Sequence, residues 1–379
     1  MTSGRPESSK FVRSDIGPSV LAAEVRDRRG KKGQQMAHLI GVDSGGTHTN
    51  MLMLRPDGTT MPGEIAGSLS SNRTDAELSK VCREIFSWIQ VHTAGDSACV
   101  WINAAGYSAA SGHRLERPIS AAIPQLKVRV GISNDGVGLL LAHDPDLVAV
   151  IAGTGSVAMA RTTAGSVITR GGDEWVVADY GSAFWLGLDG IRAGYRALEG
   201  GPDTALLNCL LGHFSPPLRS DERDRQVVVR EFARDLASLG TDTKPKIAAF
   251  APQVTRQAEL GDDEARKIVQ HAVDDLAGAA ARVYRALAPI EGRAVTPRVL
   301  LVGSVGYNSR FYFEAFRASL AGLLPDASEE GGSVELECQL NGLQEALTLA
   351  RNLAEDKEIP VLGSQHPFSI QNSPDYQPG

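Results

Sequence analysis

The chain has 379 residues, which is long enough for two domains that each bury a core of their own. Its apolar content of 42% and charged content of 22% are typical of a globular protein. The net charge of −7 argues against nucleic acid as the main partner, because binding to a phosphate backbone needs a basic face. No uncharged apolar stretch reaches the roughly 18 residues of a transmembrane helix, so we expect no membrane partner.

Residues 1–35 are predicted to be a disordered leader. They contain the charged run Arg-Asp-Arg-Arg-Gly-Lys-Lys at 26–32 and lack the apolar segment of a secretion signal. A functional basic arm is the alternative interpretation.

The four cysteines of the chain are far apart and include no CxxC pair. They indicate neither a disulfide framework nor a cysteine metal site, and a cytoplasmic location is expected.

Apolar runs alternate with helical patterns in the first part of the chain, which indicates an α/β protein. Residues 38–66 have the pattern of an antiparallel meander of three short strands. A helix is predicted over 74–92, with Thr74 or Asp75 as its N-cap. Further along, buried strands are predicted over 98–106 and 127–135, with a helix between them.

The later part of the chain continues with strands that end in glycines and with longer helices. The predicted strands are 147–156, 157–161, 167–172, 297–306 and 334–338, and the predicted helices lie near 181–199, 203–212, 222–239, 262–288, 309–323 and 342–354.

A weak internal repeat suggests how these elements are organised. The segments GVDSGGT and IAGTGS each join a strand to glycines, and each is followed by a hairpin turn that contains glycine. We therefore expect two sheet-plus-helix domains, 36–145 and 146–354, facing each other across a cleft with a hinge near His143–Pro145. The last helix is expected to pack back on the first domain. Residues 355–379, with four prolines, are predicted to be a disordered tail.

Three strands are predicted to end in glycine-rich turns. These are the first glycine loop, Asp43–Thr47, the second glycine loop, Gly153–Ser156, and the third glycine loop, Gly303–Gly306. Exposed backbone N–H groups together with Ser and Thr hydroxyls can surround phosphate oxygens. Each turn alone could be only a tight turn, but their joint occurrence favours a nucleotide site. No GxxxxGK[ST] motif is present, so the chain is not a P-loop enzyme.

Asp43 is placed where it would repel a bound phosphate. A divalent cation between the carboxylate and the phosphates would remove that conflict, so Asp43 is predicted to be a ligand of Mg²⁺, through water.

The second glycine loop also matches the dinucleotide pattern GxGxxA over Gly153–Ala158, with Asp173 where a ribose-binding acid is expected. That pattern must open a helix, whereas VAMAR at 157–161 has the pattern of a strand, so a nicotinamide site is the weaker interpretation.

Asp135 ends the predicted strand VRVGISND and is followed by Gly136. A carboxylate at this end of a central strand points into the crevice where α/β proteins bind ligands. It could accept the proton of an acceptor hydroxyl in phosphoryl transfer, or it could cap the following helix, and the two roles are compatible.

The segment 171–182 has three acids and two aromatic residues among glycines, which is the composition of a sugar pocket. A loop with one buried Trp and solvated acids is the alternative. Asn72 in Ser-Leu-Ser-Ser-Asn-Arg could read a hydroxyl or be only a polar loop residue. The histidines show no metal-binding spacing. His48, beside the first glycine loop, is the only one placed for a role in the site, although a surface role suits it better.

Taken together, these segments resemble the BadF/BadG/BcrA/BcrD-type ATPase family and, within it, the N-acetylglucosamine kinases of the actin, sugar kinase and heat-shock ATPase superfamily. The resemblance runs from about 38 to 352. The matching segments are GVDSGGTHT (41–49), SSN (70–72), SNDG (133–136), IAGTGS (151–156), GG…ADYGSAFWLG (171–187) and LVGSVG (301–306).

The resemblance implies two ribonuclease-H-like domains with ATP and Mg²⁺ in the cleft between them, and closure on a small-molecule sugar. It implies that Asp135 is the catalytic base for the sugar 6-hydroxyl and that Asp43 lies at the metal. A homodimer is expected. The implied ATP-binding residues are Gly45, Gly46, Thr47, Gly153, Thr154, Gly155, Ser156, Gly303 and Ser304, and the implied sugar-binding residues are Asn72, Gly172, Asp173 and Asp179.

The chain departs from the family pattern around the expected sugar pocket. Tyr180 replaces the acid of the usual GDEGS, Asp173 takes the place of an aromatic residue in GGWG, and Val157 follows GTGS where the animal enzyme has Asn. Such changes can alter substrate choice, so glucosamine, another amino sugar or an aminocyclitol stay open as acceptors. An activator ATPase of the same fold and a non-catalytic nucleotide or sugar sensor are the competing hypotheses.

Overall fold

The computed structural model describes residues 37–108, 111–214, 222–291, 298–324, 334–360, 362 and 368–371. The predicted leader lies outside the described residues. Within them the chain forms two mixed β-sheets with helices packed on their faces, which confirms the α/β fold class. None of the described helices is both long and apolar enough to cross a membrane.

The first sheet has the strand order β11-β5-β4-β1-β2-β3. Strands β1, β2 and β3 form the antiparallel meander predicted from the sequence, and β4 and β5 continue the sheet in parallel with β1. The strands are β1 (His38–Ser44), β2 (His48–Leu54), β3 (Thr60–Ala66), β4 (Ala98–Ala104), β5 (Val128–Asn134) and β11 (Phe368–Gln371), and the helices between them are α1 (Asp75–Thr93), α2 (Gly112–Ala122) and α3 (Asp135–Ala142).

Helix α1 shows how local sequence sets these elements. Thr74 is its N-cap, and it forms a capping box with Glu77, since each side chain bonds the backbone N–H of the other residue. Leu78, Ile85 and Ile89 recur at helical spacing and are buried against the sheet. The predicted helix and its cap are confirmed.

The second sheet has the order β10-β9-β6-β7-β8, in which β9 is parallel to β6 and β10. Its strands are β6 (Leu147–Ala152), β7 (Ser156–Arg161), β8 (Val167–Gly171), β9 (Arg298–Val302) and β10 (Glu335–Gln339). The helices of this part are α4 (Ala183–Leu198), α5 (Leu206–Phe214), α6 (Glu222–Ser238), α7 (Thr243–Ala248), α8 (Ala251–Leu260), α9 (Asp263–Glu291), α10 (Ser304–Asn308) and α11 (Arg310–Leu323).

Helices α7 and α8 were not predicted from the sequence. Helix α7 is only six residues long, and both helices have a proline near the start, Pro245 and Pro252. Proline is tolerated in the first turn of a helix but weakens the helical pattern that a short window can show.

The chain returns to the first sheet after β10. Helix α12 (Leu343–Ala354) packs across β1, as expected, and its backbone comes so close that a methyl group on Gly41 would lie 2.7 Å from both Leu343 O and Leu347 N. Strand β11 then pairs antiparallel with β5. The prediction of a disordered tail is therefore wrong for residues 368–371, because β5 still offers an unpaired edge to a strand-like segment.

A cluster of buried side chains lies between the two sheets and joins them. It contains Trp101 of β4, Leu139 of α3, Ala149 of β6, Leu300 of β9 and Leu349 of α12. The two sheets are therefore joined by one shared core. The predicted carboxylates and glycine loops lie at or just after the carboxyl ends of their strands, which are β1 and β5 in the first sheet and β6 and β9 in the second. The predicted domain boundaries stay a prediction.

Candidate active site

The three glycine loops lie close together. Strands β1, β6 and β9 end at the first, second and third loops respectively. A methyl group on Gly46 would lie 3.6 Å from Thr154 Cβ, and one on Gly303 would lie 2.3 Å from Ala152 O and 2.9 Å from Gly153 N. Loops that are 260 residues apart from first to last in the chain thus lie beside one another.

The first glycine loop is the turn between β1 and β2. Gly45 N donates to His48 O over 3.1 Å, which closes the turn. The Ser68 hydroxyl bonds the Gly45 carbonyl, and Arg73 Nη2 donates to Gly46 O over 3.2 Å. Thr47 is part of the same turn and is half-buried. The carbonyls of this loop are thus held by the segment that follows β3.

The second glycine loop is the turn between β6 and β7. Gly153 N donates to Gly155 O over 3.0 Å, while Gly153 O and Thr154 O accept bonds from the first N–H groups of α4. Ser156 N donates to Asp179 Oδ1 over 3.1 Å, and its hydroxyl donates to Tyr180 O over 2.6 Å. The loop is therefore held in place through the N–H groups of Gly153 and Ser156 and through the carbonyls of Gly153 and Thr154.

The third glycine loop depends on a conformation that favours glycine. Gly303 has a φ of 131°, and its N–H donates to Gln339 O over 2.9 Å. Ser304 is the first residue of α10. Because any side chain at Gly303 would meet the end of β6, only glycine lets the second and third loops lie against each other.

Two carboxylates lie at the carboxyl ends of strands in the first sheet. Asp43 is near the end of β1, and Asp135 directly follows β5, with β4 between these two strands. The pKa of Asp43 is raised to about 7, mainly by burial and then by the charges of Asp135 and Glu345, against the opposing effect of the Gly342 N–H. Burial also raises the pKa of Asp135, against the effect of a hydrogen bond from Gly136 N. Such raised values are typical of carboxylates that exchange protons or bind cations.

The cap of α3 is not Asp135. Asn134 is the N-cap, and its Oδ1 accepts bonds from Gly136 N and Val137 N. The amide of Asn134 therefore takes the capping role that the sequence left open for the neighbouring acid. Asp135, as the first residue of the helix, keeps one carboxylate oxygen outside the bond to Gly136.

The carboxylate pair fits a magnesium site. Among the described residues, no group of three or more His, Cys, Asp or Glu side chains could hold a metal ion. Mg²⁺ usually binds through one or two carboxylates, with water and phosphate oxygens as its other ligands. A divalent cation would also offset the like-charge repulsion that raises the pKa of Asp43.

We predict that Asp43 makes the apo protein less stable as the pH rises. Its pKa lies at about 7 in the folded chain against an ordinary 3.8. Between these values the unfolded chain has lost a proton that the folded chain keeps, so the free energy of unfolding falls as the pH rises towards 7 and then levels off. Urea unfolding in EDTA should give a loss on the order of 3 kcal/mol between pH 5 and pH 8.

The Asp43→Asn variant should show a much smaller loss over the same range, while Asp96→Asn, at an exposed turn, should behave as the wild type. Equal slopes for wild type and Asp43→Asn would contradict the assignment.

A buried polar network supports Asp43 and was not anticipated. Asn103 is fully buried on β4, beside Asp43 in the sheet. Its Oδ1 accepts bonds from Trp101 Nε1 over 3.2 Å and from Ser133 Oγ over 3.1 Å, and its Nδ2 donates to Gly342 O over 3.4 Å. Gly342 in turn lies beside the Asp43 carboxylate, and its N–H acts to lower the pKa of Asp43. The sequence signal for this network was Asn103 itself, a polar amide residue within the apolar run ACVWINA.

The predicted sugar-binding residues do not share one environment. Asn72, Gly172 and Asp173 are exposed, and Gly172 has a φ of 79°. Asp179 is buried, and its carboxylate contacts the Lys244 ammonium at 2.6 Å as well as Ser156 N. The structure thus places Asp179 at the second glycine loop.

Two cations near the loops were missed by sequence reasoning. Arg73 contacts the first glycine loop, and Lys244 lies at the second. Arg73 directly follows the Ser-Ser-Asn segment, which could have drawn attention to it. Lys244 is 65 residues beyond Asp179, in an element that the sequence pattern did not reveal.

Comparison with known proteins agrees with this architecture. The family model described as the BadF/BadG/BcrA/BcrD ATPase family matches residues 40–321. A provisionally assigned N-acetylglucosamine kinase from Chromobacterium violaceum is 23% identical, with 83% of this chain and 99% of that chain covered and a TM-score of 0.58. A provisionally assigned N-acetylglucosamine kinase from Porphyromonas gingivalis is 17% identical, with coverage of 83% and 99% and a TM-score of 0.55.

A ROK family glucokinase from Streptomyces griseus, solved with glucose and AMPPNP, is 16% identical, with coverage of 84% and 100% and a TM-score of 0.50. At these identities the likeness is one of fold, and it confirms the predicted sugar-kinase-like architecture. The family match extends over most of the chain and includes the first and second glycine loops and Asp135. This protein is a member of the BadF/BadG/BcrA/BcrD ATPase family.

Proposed function

We propose that the protein is an ATP-dependent sugar kinase that transfers the γ-phosphate of ATP to the 6-hydroxyl of an amino sugar such as N-acetylglucosamine or glucosamine. The observation that supports this most directly is the pair of carboxylates with raised pKa, Asp43 and Asp135, beside the contacting glycine loops. Phosphoryl transfer needs donors for the phosphates, a place for a divalent cation and a base for the acceptor.

Each part of the site has a role in this proposal. The first and second glycine loops hold the phosphates of ATP, and Gly303 and Ser304 hold the adenosine. Asp43 holds Mg²⁺, which would neutralise charge on the phosphates. Asp135 takes the proton of the acceptor hydroxyl as the oxygen forms a bond to the γ-phosphorus, and the bond from that phosphorus to the bridging oxygen breaks to release ADP.

A raised pKa suits Asp135 as the base. A carboxylate with an ordinary pKa accepts a proton only weakly near neutral pH, whereas burial makes the protonated form easier to reach. The rate of transfer should therefore increase with pH through that raised value.

The acceptor is proposed to lie between Asp135 and the exposed loops that contain Asn72, Gly172 and Asp173. Exposed side chains can reorganise around a sugar when the cleft closes, and closure would exclude water as a competing acceptor. The carboxylate of Asp179 already contacts Lys244, so a role at the sugar would require it to share that cation. A cytoplasmic homodimer remains part of the proposal.

The cysteines favour a kinase over an activator ATPase. Activators of this fold hold a cluster between subunits with two nearby cysteines. Here Cys82, Cys99 and Cys338 are buried, and Cys209 is half-buried on α5. A non-catalytic sensor would have no need for this half-buried carboxylate pair, whose charged forms are disfavoured by burial.

The proposal is tested with purified protein, ATP and Mg²⁺ against a panel of amino sugars, plain hexoses and aminocyclitols. ADP release is measured with and without each acceptor, and the phosphorylated position is found by NMR. We expect turnover that depends on one amino sugar. Turnover on an aminocyclitol alone would correct the substrate class, and ATP binding without turnover on any acceptor would refute the kinase.

A further inference from the structure

None of the three glycine loops contains a Lys or Arg residue. Backbone N–H groups carry only partial charge, while a bound triphosphate has several full negative charges. The second loop also has the buried carboxylate of Asp179 against it. This arrangement leaves a need for positive charge at the second loop.

Lys244 is positioned to meet that need. Its Nζ lies 2.6 Å from Asp179 Oδ2 and 3.0 Å from the position that a methyl group on Gly155 would occupy. The side chain is 21% exposed, so it is mostly enclosed but still reaches solvent. A lysine ammonium has three N–H donors, and its ion pair with a single carboxylate oxygen leaves donors for a further ligand.

Lys244 belongs to a short bridge segment, Gly240–Lys244, that contacts both halves of the site. Asp242 of this segment lies 3.5 Å from Arg73 Nη1, and Arg73 Nη2 donates to the carbonyl of Gly46 in the first loop. The first loop lies beside the second, since a methyl group on Gly46 would be 3.6 Å from Thr154 Cβ. The bridge segment therefore approaches both phosphate-facing loops, one through Arg73 and the other through Lys244.

We propose that Lys244 binds the phosphates of the nucleotide at the second glycine loop and that Asp179 positions it there. Asp179 fixes Lys244 by an ion pair through Oδ2, while its Oδ1 accepts a bond from Ser156 N, so that one carboxylate aligns the loop and the cation. This inference rests on the proposed use of ATP. It assigns to Asp179 a positioning role and leaves the sugar to other residues.

The test compares Lys244→Met with Lys246→Met in the full chain. Lys246 is exposed on the same helix, so both variants remove one positive charge from α7 but only the first removes it from the loop. Calorimetric titration measures Kd for AMPPNP with Mg²⁺, for ADP and for adenosine. Since none of these needs an acceptor, the result is independent of whether the acceptor panel succeeds.

We expect Lys244→Met to raise the Kd for AMPPNP by about tenfold to a hundredfold, the range for losing a bond to a charged group, and to leave that for adenosine unchanged. Comparing AMPPNP with ADP then identifies whether the γ-phosphate is involved. Lys244→Arg should recover part of the affinity because it keeps a cation of similar reach.

Wild-type affinity for AMPPNP in Lys244→Met would overturn the proposal. An equal loss for AMPPNP and adenosine would overturn it as well, since that would mean that Lys244 only supports the fold of the loop. Lys246→Met should match the wild type with every ligand.

Discussion

Replacing Asp135 with Asn is expected to lower the rate of phosphoryl transfer by about 10²–10⁴-fold, the usual contribution of a general base. The amide has nearly the same shape and can still accept the bond from Gly136 N, but it cannot accept the proton of the acceptor hydroxyl. Binding of ATP should persist, because the glycine loops are unchanged. The experiment is steady-state turnover with the acceptor that the panel identifies, together with the Kd for AMPPNP.

The stability of Asp135→Asn helps to separate chemistry from folding. Burial disfavours the charged carboxylate, so its removal should leave the midpoint of thermal unfolding unchanged or raise it. Asp96→Asn, at an exposed turn, is the matched control and should retain full turnover. Full activity in Asp135→Asn would show that the proton goes to another group.

Replacing Gly303 with Ala is expected to destabilise the fold and to weaken nucleotide binding together. The new methyl group would lie 2.3 Å from Ala152 O, which is backbone and cannot rotate away. Overpacking of this kind costs about 1–3 kcal/mol, and a φ of 131° adds strain for any residue with a Cβ. Urea unfolding should show a combined loss of about 2–4 kcal/mol, and the Kd for AMPPNP should rise.

A second glycine makes the comparison informative. Gly322 lies in α11, where a methyl group would meet nothing within 4 Å. Gly322→Ala should leave the free energy of unfolding unchanged or raise it by up to about 1 kcal/mol, since Ala is the better helix former. If both variants behaved alike, the close approach of the second and third loops would not be what restricts position 303.

The elements that the sequence predicted well are those with a clear period or a local signal. The α1 helix has its capping box and its apolar spacing, and the meander over 38–66 has short alternating runs, so local preference and the fold agree. The glycine loops were recognisable because three predicted strands each end in a glycine-rich turn. One such turn can be only a tight turn, but three together favour a shared function.

The residues that were missed depend on contacts between distant parts of the chain. Lys244 reaches Asp179 from a short helix that begins with a proline-containing turn, and Asn103 reaches Gly342 across 239 residues. No local pattern reports such pairings. The same holds for β11, whose pairing with β5 provides hydrogen bonds that a tail alone would lack.

The return of α12 to β1 has a consequence for how the chain folds during synthesis. The strands β1 to β5 leave the ribosome long before Leu343–Ala354, yet α12 covers Gly41, and Gly342 just before it lies beside Asp43. Until those residues emerge, one face of the first sheet lacks its cover. A nascent chain that stops short of α12 should therefore expose apolar surface and recruit chaperones, even though every strand of the meander has already been made.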